Sequence, residues 1–558
     1  MAKDKKKKKD KKKKEKKKKK GDHRGDTFSQ LYAKKGKAGV PTAVTFGESI
    51  DRSTDKLFLG SDYREVLIPE RSWAEMLSDT EHWTPLPFTH GIEMELIIAD
   101  DNGNYPPGEE MVYRMKEIVK DAIKIMDEML YEGRADFLPV PEYISQKVLA
   151  RPWGRDDIEK GYAMDIRYAL GDSSVDIDTF ARDGNVTAIT YILELVSPPC
   201  IFVEELAYWC ATLFQLAKAT LPKDLHIIAS AINPATKEYM RGLSQSDHHH
   251  FGTFESEVEK AQGYSMIRNF IPHLVALSCN SPIINNKPTD EVKVINRRIA
   301  APNCVRSLRL KSNTTMLSNN DPRHYIPYLT DTDENSQNYF LQVVQKASLE
   351  DGRFEDLFPM TDWNTIECRI CDAQISICRR IGLGLVLQAL LYKARKLLQK
   401  GVWVPDAGSE TITFNREGAI ERGLISLFKP VNIERERLAQ YDPDFAEQYL
   451  GPEGQPVRYM MQAVQRMFFY IKDELKELGF LYSPFLKPVL QSVFGTVSYA
   501  EPPITEAEYQ LSLYKYKLDN GEDPSILYDL IYFTIQYCQD PLNNPLTGVL
   551  TLPKEMRE

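Results

Sequence analysis

Three short apolar segments of the chain each contain two side chains, two positions apart, that could bind a ligand or act in catalysis. Residues at i and i+2 of a strand point to the same face, so each segment presents a pair of functional groups to one surface. Because an antiparallel sheet often has one face in water, solvent exposure would also account for any single pair. The pairs are Glu93 and Glu95 in HGIEMELII, His248 and His250 in SDHHHFG, and Glu367 and Arg369 in TIECRICD.

The residue types favour a common cation site over exposure. A solvent-facing strand tolerates Lys, Thr, Ser or Gln, whereas these apolar strands carry carboxylate, imidazole and guanidinium groups. Glu194 interrupts the apolar segment ITYILELV, where a carboxylate is costly without a cation or hydrogen bonds. Carboxylates with one imidazole suit Mg²⁺ or Mn²⁺ better than structural zinc. The predicted metal ligands are Glu93, Glu95, Glu194, Glu367 and one histidine of the His248 and His250 pair.

Arg369 beside such a cation site indicates phosphoryl transfer from ATP. Metal ions neutralise and align the polyphosphate, while an arginine stabilises charge on the transferred group. The sequence contains no GxxxxGK[ST] motif, no kinase glycine loop and no GxGxxG. We therefore expect the metals and the sheet, and no glycine cradle, to hold the nucleotide.

The elements that must position these residues are strands interspersed with helices, which predicts an α+β core. Alternating residues predict a strand over 88–100, ending in a turn at 101–103, and others at 173–181, 186–197, around the histidines and in NTIECRICDAQ. Helical patterns cover 109–131, 202–221, the stretch from 259 to the Asn-Ser-Pro at 280–282, and 375–399. Beyond residue 401 the patterns at 419–428, 457–478 and 523–538 predict a mainly helical C-terminal extension.

The N-terminus is expected to be a disordered tail. Its first 20 residues contain 15 lysines against three acidic residues, so a chain of net charge −9 has an acidic remainder. The tail could bind nucleic acid, an anionic membrane surface or the protein's own acidic body, or it could be only a solvated arm. The expected division is residues 1–25 tail, 26–86 linker and N-terminal segment, 87–400 core and 401–558 extension.

Composition also bears on the compartment. The tail lacks the apolar stretch of a secretory signal, and no segment offers the run of apolar residues of a membrane span, so a soluble protein is expected. The eight cysteines form no disulfide framework and suit a reducing cytoplasm. Cys368 and Cys371 form a CxxC, but strand alternation predicts that they point to opposite faces as small core residues.

Four ordered motifs resemble the glutamate–cysteine ligase type 2 (carboxylate-amine ligase) family of the glutamine synthetase superfamily. They are HGIEMELII, ILELVSPPC, HHHFGTF followed by IPHLVALSCNSP, and IECRICDAQ, between residues 88 and 399. The resemblance implies an antiparallel sheet bent into a funnel with flanking helices, with ATP and two or more Mg²⁺ on its inner face. It implies activation of a glutamate side chain as an acyl phosphate, then attack by an amine, most simply cysteine, as in glutathione biosynthesis.

The resemblance also assigns roles to individual residues. The metal-ligand positions of the family motifs match Glu93, Glu95, Glu194, His248 and Glu367. His250 matches a histidine that approaches ATP phosphate. Arg369 matches the arginine that faces the transferred phosphoryl group. Arg298, with Arg297 as its alternative, matches an arginine that handles substrate carboxylate or phosphate.

The chain departs from the family pattern in two of its motifs. Ser246 and Asp247 stand where the family has a glycine before its first histidine. His249 replaces a valine and is expected to point away from the cavity, in a structural or surface role. The segment TDEVKVINRR replaces a family motif, which leaves substrate recognition open.

Other functions remain compatible with the sequence. The same chemistry could act on another amine or on a protein-borne glutamate, docked by the tail and the C-terminal extension. A non-catalytic nucleotide- or glutamate-binding protein is disfavoured, because it would not need six matched site residues. A homo-oligomer is left open, since relatives in the superfamily often assemble.

Overall fold

The computed structural model of the protein describes part of the chain. The described residues are 71–105, 121–122, 124–150, 164–168, 191–237, 245–295, 298–312, 356–358, 365–404, 407–430, 457–495 and 503–552. The lysine-rich tail and the predicted strand at 173–181 lie outside them.

An antiparallel sheet of eight strands dominates the described part of the chain. Its order is β11-β12-β6-β1-β3-β2, and β4 and β5 also pair with β1. Two short hairpins, β7-β8 and β9-β10, lie off this sheet. The strands are β1 (Pro85–Ala99), β2 (Met164–Tyr168), β3 (Tyr191–Val196), β4 (Cys200–Phe202), β5 (His226–Ile228), β6 (Ser246–Gly252), β7 (Ile283–Ile284), β8 (Lys287–Pro288), β9 (Lys293–Ile295), β10 (Arg298–Ala300), β11 (Leu357–Phe358) and β12 (Ile366–Asp372).

Helices surround this sheet, so the predicted mixture of helices with an antiparallel sheet is confirmed. The α-helices are α1 (Trp73–Ser78), α2 (Glu142–Ala150), α3 (Val203–Thr220), α4 (Glu257–Ser278), α5 (Leu308–Ser312), α6 (Ile377–Gln399), α7 (Ser409–Arg422), α8 (Met460–Tyr470), α9 (Lys472–Glu477), α10 (Lys487–Phe494), α11 (Glu506–Asp519) and α12 (Leu527–Thr534). Residues 124–131 are helical as well. None of the helices in these stretches combines the length and the apolar character needed to traverse a bilayer.

Helices α3, α4 and α6 pack against the sheet. Serine caps start two of them: Ser256 accepts from the Glu259 amide at α4, and Ser376 accepts from the Arg379 amide at α6. A glycine at 384 lets α6 approach the sheet closely, because a Cβ there would lie 2.2 Å from His90 Cε1. The sheet face beneath α6 is therefore a tightly packed core face.

Several of the described elements lie where the sequence patterns predicted them, and two of the differences have a clear physical cause. The helix predicted over 419–428 begins ten residues earlier as α7 and ends at Arg422, where Gly423 adopts a φ of 58° that stops it. Helix α11 lies between the helices predicted at 457–478 and 523–538, in a segment for which no helix was predicted. Its start is fixed by a capping box between Thr505 and Glu508, and two prolines lie before it.

Helix α11 is joined to the sheet region by a buried carboxylate. Both oxygens of Glu506 lie 3.1 Å from the Ile375 amide, and Oε1 lies 3.5 Å from Arg379 Nε. Burial raises the pKa of Glu506 to about 7, and Arg379 opposes this shift. The C-terminal helices thus share buried electrostatic contacts with the segment that follows β12.

The raised pKa makes stability depend on pH. The pKa of a glutamate in an unfolded chain is about 4.3, so the native state binds the proton more tightly than the unfolded state does. The stabilisation from this proton is complete below that pH and is lost as pH rises through about 7. We expect wild type to lose roughly 1–3 kcal/mol of unfolding free energy through this group between pH 5 and pH 8. Glu506→Gln should lack this loss in urea unfolding measured at both pH values.

The exposed Glu522 supplies the control for this prediction. Glu522→Gln should keep the wild-type difference between pH 5 and pH 8. Parallel pH profiles for wild type and Glu506→Gln would contradict the role given to Glu506.

Candidate active site

Strand register places the predicted metal ligands on one face of the sheet. Residues directly opposite one another in an antiparallel pair share a face, as do residues two apart on one strand. All five ligands are linked by these two relations. The opposed pairs are Glu95 with Glu194 across β1 and β3, Glu93 with His248 across β1 and β6, and Glu367 with His250 across β12 and β6.

Two carboxylates and two imidazoles converge at the centre of this face. His248 Nδ1 lies 3.2 Å from Glu93 Oε2 and 3.4 Å from Glu367 Oε1. His250 Nε2 lies 3.4 Å from Glu93 Oε1 and 3.8 Å from Glu367 Oε1. Glu93, His250 and Glu367 each offer a ligand atom, and these atoms lie within 4.8 Å of one another. Both histidines therefore border the same pair of carboxylates.

This centre fits a hard divalent cation. His250 Nε2 is buried and makes no hydrogen bond within the described part of the chain, although it faces two carboxylates. Carboxylate oxygens with imidazole nitrogen are donors that Mg²⁺ or Mn²⁺ accepts. A cation among them would satisfy the unpaired nitrogen and the two carboxylates together. His250, like His248, lies beside both Glu93 and Glu367, although the family resemblance assigned His250 to phosphate.

The charges at the centre shift the pKa values of three side chains. Burial opposes ionisation of Glu93, but His250 and His248 outweigh it and hold the pKa of Glu93 well below its usual range. Burial lowers the pKa of His250, yet Glu367 and Glu93 raise it above its ordinary value overall. Burial likewise opposes the charge on Arg369, while Glu367, Glu95 and Glu93 raise its pKa. The two histidines therefore favour the anionic form of Glu93, and the surrounding carboxylates favour the cationic forms of His250 and Arg369.

Arg369 lies at the edge of the centre and forms an ion pair with Glu367. Its backbone amide donates to Asp356 O at 2.9 Å, so a residue before β11 helps to hold it. Its Nε is buried without a hydrogen-bond partner among the described residues, and its side chain retains 21% exposure. A partly accessible guanidinium beside a cation centre is suited to contact an anionic ligand.

The arrangement of Cys368 and Cys371 corrects the sequence-based expectation. The register of β12 against β6 shifts between these two residues, which marks a bulge in the strand. The extra backbone length turns one side chain round, and the two thiols interact with each other instead of pointing to opposite faces. Both are fully buried. All eight cysteines of the chain are buried free thiols.

His249 faces the opposite side of the sheet, as alternation in β6 predicts. It is fully buried, and its Nδ1 lies 3.0 Å from His90 Nε2 beneath α6. Asp247, also fully buried, points the same way and accepts from Arg380 Nε at 2.8 Å. Alternate residues of β6 therefore serve the site and the core.

The remaining predicted site residues have different placements. Glu194 is 2% exposed and lies opposite Glu95 in the ladder. Arg298 belongs to β10, in the two-stranded hairpin with β9, and not to the main sheet. Arg297 lies outside the described residues.

Sequence reasoning missed two residues at this face. Ser246 Oγ lies 2.6 Å from Glu95 Oε2 and 2.6 Å from His248 Nε2. Thr365 Oγ1 lies 3.1 Å from His250 Nδ1. Only Ser246 had a local signal, since it stands two residues before His248 on the same strand.

The curated proteins that match the chain in sequence include several that share one name. No family model matches the chain. A provisionally named glutamate–cysteine ligase 2 of Sorangium cellulosum is 25% identical over 179 residues, 32% of this chain and 42% of that protein. One from Roseiflexus castenholzii is 28% identical over 148 residues, 26% of this chain and 34% of that protein. The resemblance to the glutamate–cysteine ligase type 2 family is confirmed. The matched region spans less than half of each of these two glutamate–cysteine ligase relatives.

Solved structures similar to the chain include two ligases of related names. A glutamate–cysteine ligase of Francisella tularensis in complex with AMP aligns with a TM-score of 0.42 and 10% identity, over 85% of this chain and 91% of that one. A bifunctional glutathione synthetase of Pasteurella multocida aligns with a TM-score of 0.39 and 12% identity, over 83% of this chain and 52% of that one.

Proposed function

We propose that the protein is an ATP-dependent ligase that joins a carboxylate to an amine through an acyl phosphate. The observation that carries this proposal is the convergence of Glu93, His248, His250 and Glu367 beside Arg369 on one sheet face. These residues come from three strands far apart in sequence. A face used only for solvent contact would not need them in contact with one another.

The centre would hold Mg²⁺ or Mn²⁺ through Glu93, Glu367 and one or both histidines, with Glu95 and Glu194 beside them. When bound, the metal would neutralise and align the polyphosphate of ATP. Arg369 would then contact the transferred phosphoryl group, where its fixed positive charge stabilises charge that builds up in the transition state. Its ion pair with Glu367 orients the guanidinium before the nucleotide arrives.

The proposed reaction has two displacements. A carboxylate oxygen of the acid substrate attacks the terminal phosphorus of ATP. The bond from that phosphorus to the bridging oxygen breaks, and ADP leaves. The lone pair of the amine then attacks the carbonyl carbon of the acyl phosphate. Inorganic phosphate leaves with the electrons of the C–O bond, and the amine nitrogen releases a proton. The products are an amide, ADP and phosphate.

The finer assignments belong to the same proposal. We infer the glutamate side chain as the carboxylate and cysteine as the amine, on the strength of the family resemblance. We also infer a glutamine synthetase-like funnel whose inner face is the one that carries the glutamates. The division into a core over 87–400 and an extension over 401–558 and the role of Arg298 remain predictions. A reducing cytoplasm is the compartment we propose, since the eight thiols are free.

A phosphate-release screen tests this function. The full chain, incubated with ATP, Mg²⁺ or Mn²⁺, glutamate and a panel of amines including cysteine, is expected to release phosphate only when carboxylate and amine are both present. Mass spectrometry should show the matching amide. Amide formation with another amine, or on a protein glutamate, would support the proposed ligase reaction but change the proposed substrate. No phosphate release with any acceptor would contradict the proposal.

A further inference from the structure

We propose that the Ser246 hydroxyl is a positioning group that fixes the orientation and the tautomer of His248, so that Nδ1 is the nitrogen available to a metal. The inference rests on the proposed function, since it assumes a cation at the centre. It concerns a residue at which this chain departs from the family pattern. Ser246 itself touches no proposed substrate, so its effect would pass through His248.

The first step is the burial and geometry of the hydroxyl. Ser246 opens β6 and is 3% exposed, so bulk water does not supply its hydrogen bonds. Its Oγ is 2.6 Å from Glu95 Oε2 and 2.6 Å from His248 Nε2. The direct distance from His248 Nε2 to Glu95 Oε2 is 3.7 Å, which is too long for a hydrogen bond. The hydroxyl therefore bridges a carboxylate and an imidazole that do not reach each other.

The second step follows from counting protons. A serine hydroxyl has one proton to donate, and Ser246 Oγ donates it to Glu95 Oε2. The hydroxyl oxygen can then only accept a hydrogen bond from His248. This requires a proton on Nε2 of the ring.

The third step concerns the other ring nitrogen. With Nε2 protonated, Nδ1 is the only nitrogen of His248 that can offer a lone pair. It lies 3.2 Å from Glu93 Oε2 and 3.4 Å from Glu367 Oε1. A metal-ligating histidine usually donates its second N–H to a neighbouring acceptor, which holds the ring and the tautomer. Ser246 is that acceptor here, and Glu95 in turn orients Ser246.

The fourth step is that removing this hydroxyl should disturb little else. The next residue, Asp247, faces the core and keeps its contacts with Arg380 and the Gln374 amide. The backbone of Ser246 pairs with Asp372 in the ladder, independently of the side chain. Ser246→Ala therefore isolates the hydroxyl from the packing of β6.

The test is Mn²⁺ binding to the full chain without nucleotide, followed by electron paramagnetic resonance. We expect Ser246→Ala to weaken Mn²⁺ binding roughly tenfold to a hundredfold. The ¹⁴N modulation that a ligating imidazole imposes on the Mn²⁺ spin echo should weaken as well. Ser246→Thr keeps a hydroxyl and should bind within about threefold of wild type.

Ser230→Ala is the matched control, because it also removes a buried serine hydroxyl, which donates to Asn280 O at 2.9 Å away from the centre. It should bind Mn²⁺ as wild type does. Wild-type affinity and ¹⁴N modulation in Ser246→Ala would overturn the inference and leave the ligase proposal standing. Equal weakening in Ser246→Ala and Ser230→Ala would also overturn it. Failure of wild type itself to bind Mn²⁺ would instead contradict the metal basis of the proposed function.

Discussion

Glu367→Gln is expected to reduce ligase turnover by about 10²–10³-fold or more, the loss typical of removing one key electrostatic group from an active site. Glu367 Oε1 is the atom that His248, His250 and Arg369 all approach. Glutamine has nearly the same shape but no negative charge, so a cation at the centre would lose the charge of an anionic ligand. Arg369 would also lose its ion-pair partner. Turnover would be measured as phosphate release with the carboxylate and the amine that the screen identifies as substrates.

Arg369→Ala should abolish turnover as well, since it removes the cation proposed to face the transferred phosphoryl group. Both variants should keep the circular dichroism spectrum of wild type. Glu291→Gln provides the control, because Glu291 is exposed and contacts only the exposed Lys293, at 3.1 Å, among the ion pairs of the described residues. Wild-type turnover in either site variant would show that the centre is assigned to the wrong residues.

Asp247→Ala is expected to lower the free energy of unfolding by about 3–5 kcal/mol, the usual result of leaving a buried charge unpaired. Both members of the Asp247–Arg380 pair have fully buried side chains, and Nε lies 2.8 Å from Oδ1. Asp247 Oδ2 also accepts from the Gln374 amide at 2.8 Å, which fixes the chain just after β12. Urea unfolding followed by tryptophan fluorescence measures the loss.

Two further variants test this second prediction: a double substitution of the buried pair and a control substitution in an exposed pair. Replacing the pair by apolar residues, as in Asp247→Leu with Arg380→Met, should cost less than the sum of the single changes, because no charge is then left alone. Asp101→Ala breaks the exposed contact with His226 and should change stability by less than about 1 kcal/mol. A loss for Asp247→Ala as small as that for Asp101→Ala would contradict the role given to the buried pair.

The two predictions meet in β6. Ser246, His248 and His250 point to the candidate site, and Asp247 and His249 point to the core. The core contacts of the odd-numbered residues hold the strand that carries the site residues. Loosening the core side of β6 should therefore also disturb the geometry of the candidate site.

The C-terminal helices show where local patterns were insufficient. The sequence predicted helices beyond residue 401 because apolar residues recur with helical spacing there. It missed α11 because two prolines precede it, and proline marks a connection as readily as a helix start. The contact of Glu506 with the Ile375 amide could not be read from either segment alone, since 131 positions separate the two residues.

The sequence by itself determined which side chains could form the site, because strand alternation is a local property. Three features follow from a period of two along one strand: the shared face of Glu93 and Glu95, that of His248 and His250, and the orientation of His249 away from the site. The order of the motifs supplied the family resemblance. These conclusions require no knowledge of which strands are neighbours.

Only the tertiary structure decided the register, the bulge and the supporting residues. Pairing of Glu93 with His248 joins positions 155 residues apart, and a slip of one residue would turn every partner to the other face. The bulge between Cys368 and Cys371 and the hydroxyls of Ser246 and Thr365 acquire meaning only beside other strands. The physical reason is that hydrogen-bond ladders and buried charges are satisfied by neighbours in space, which one strand's sequence does not specify.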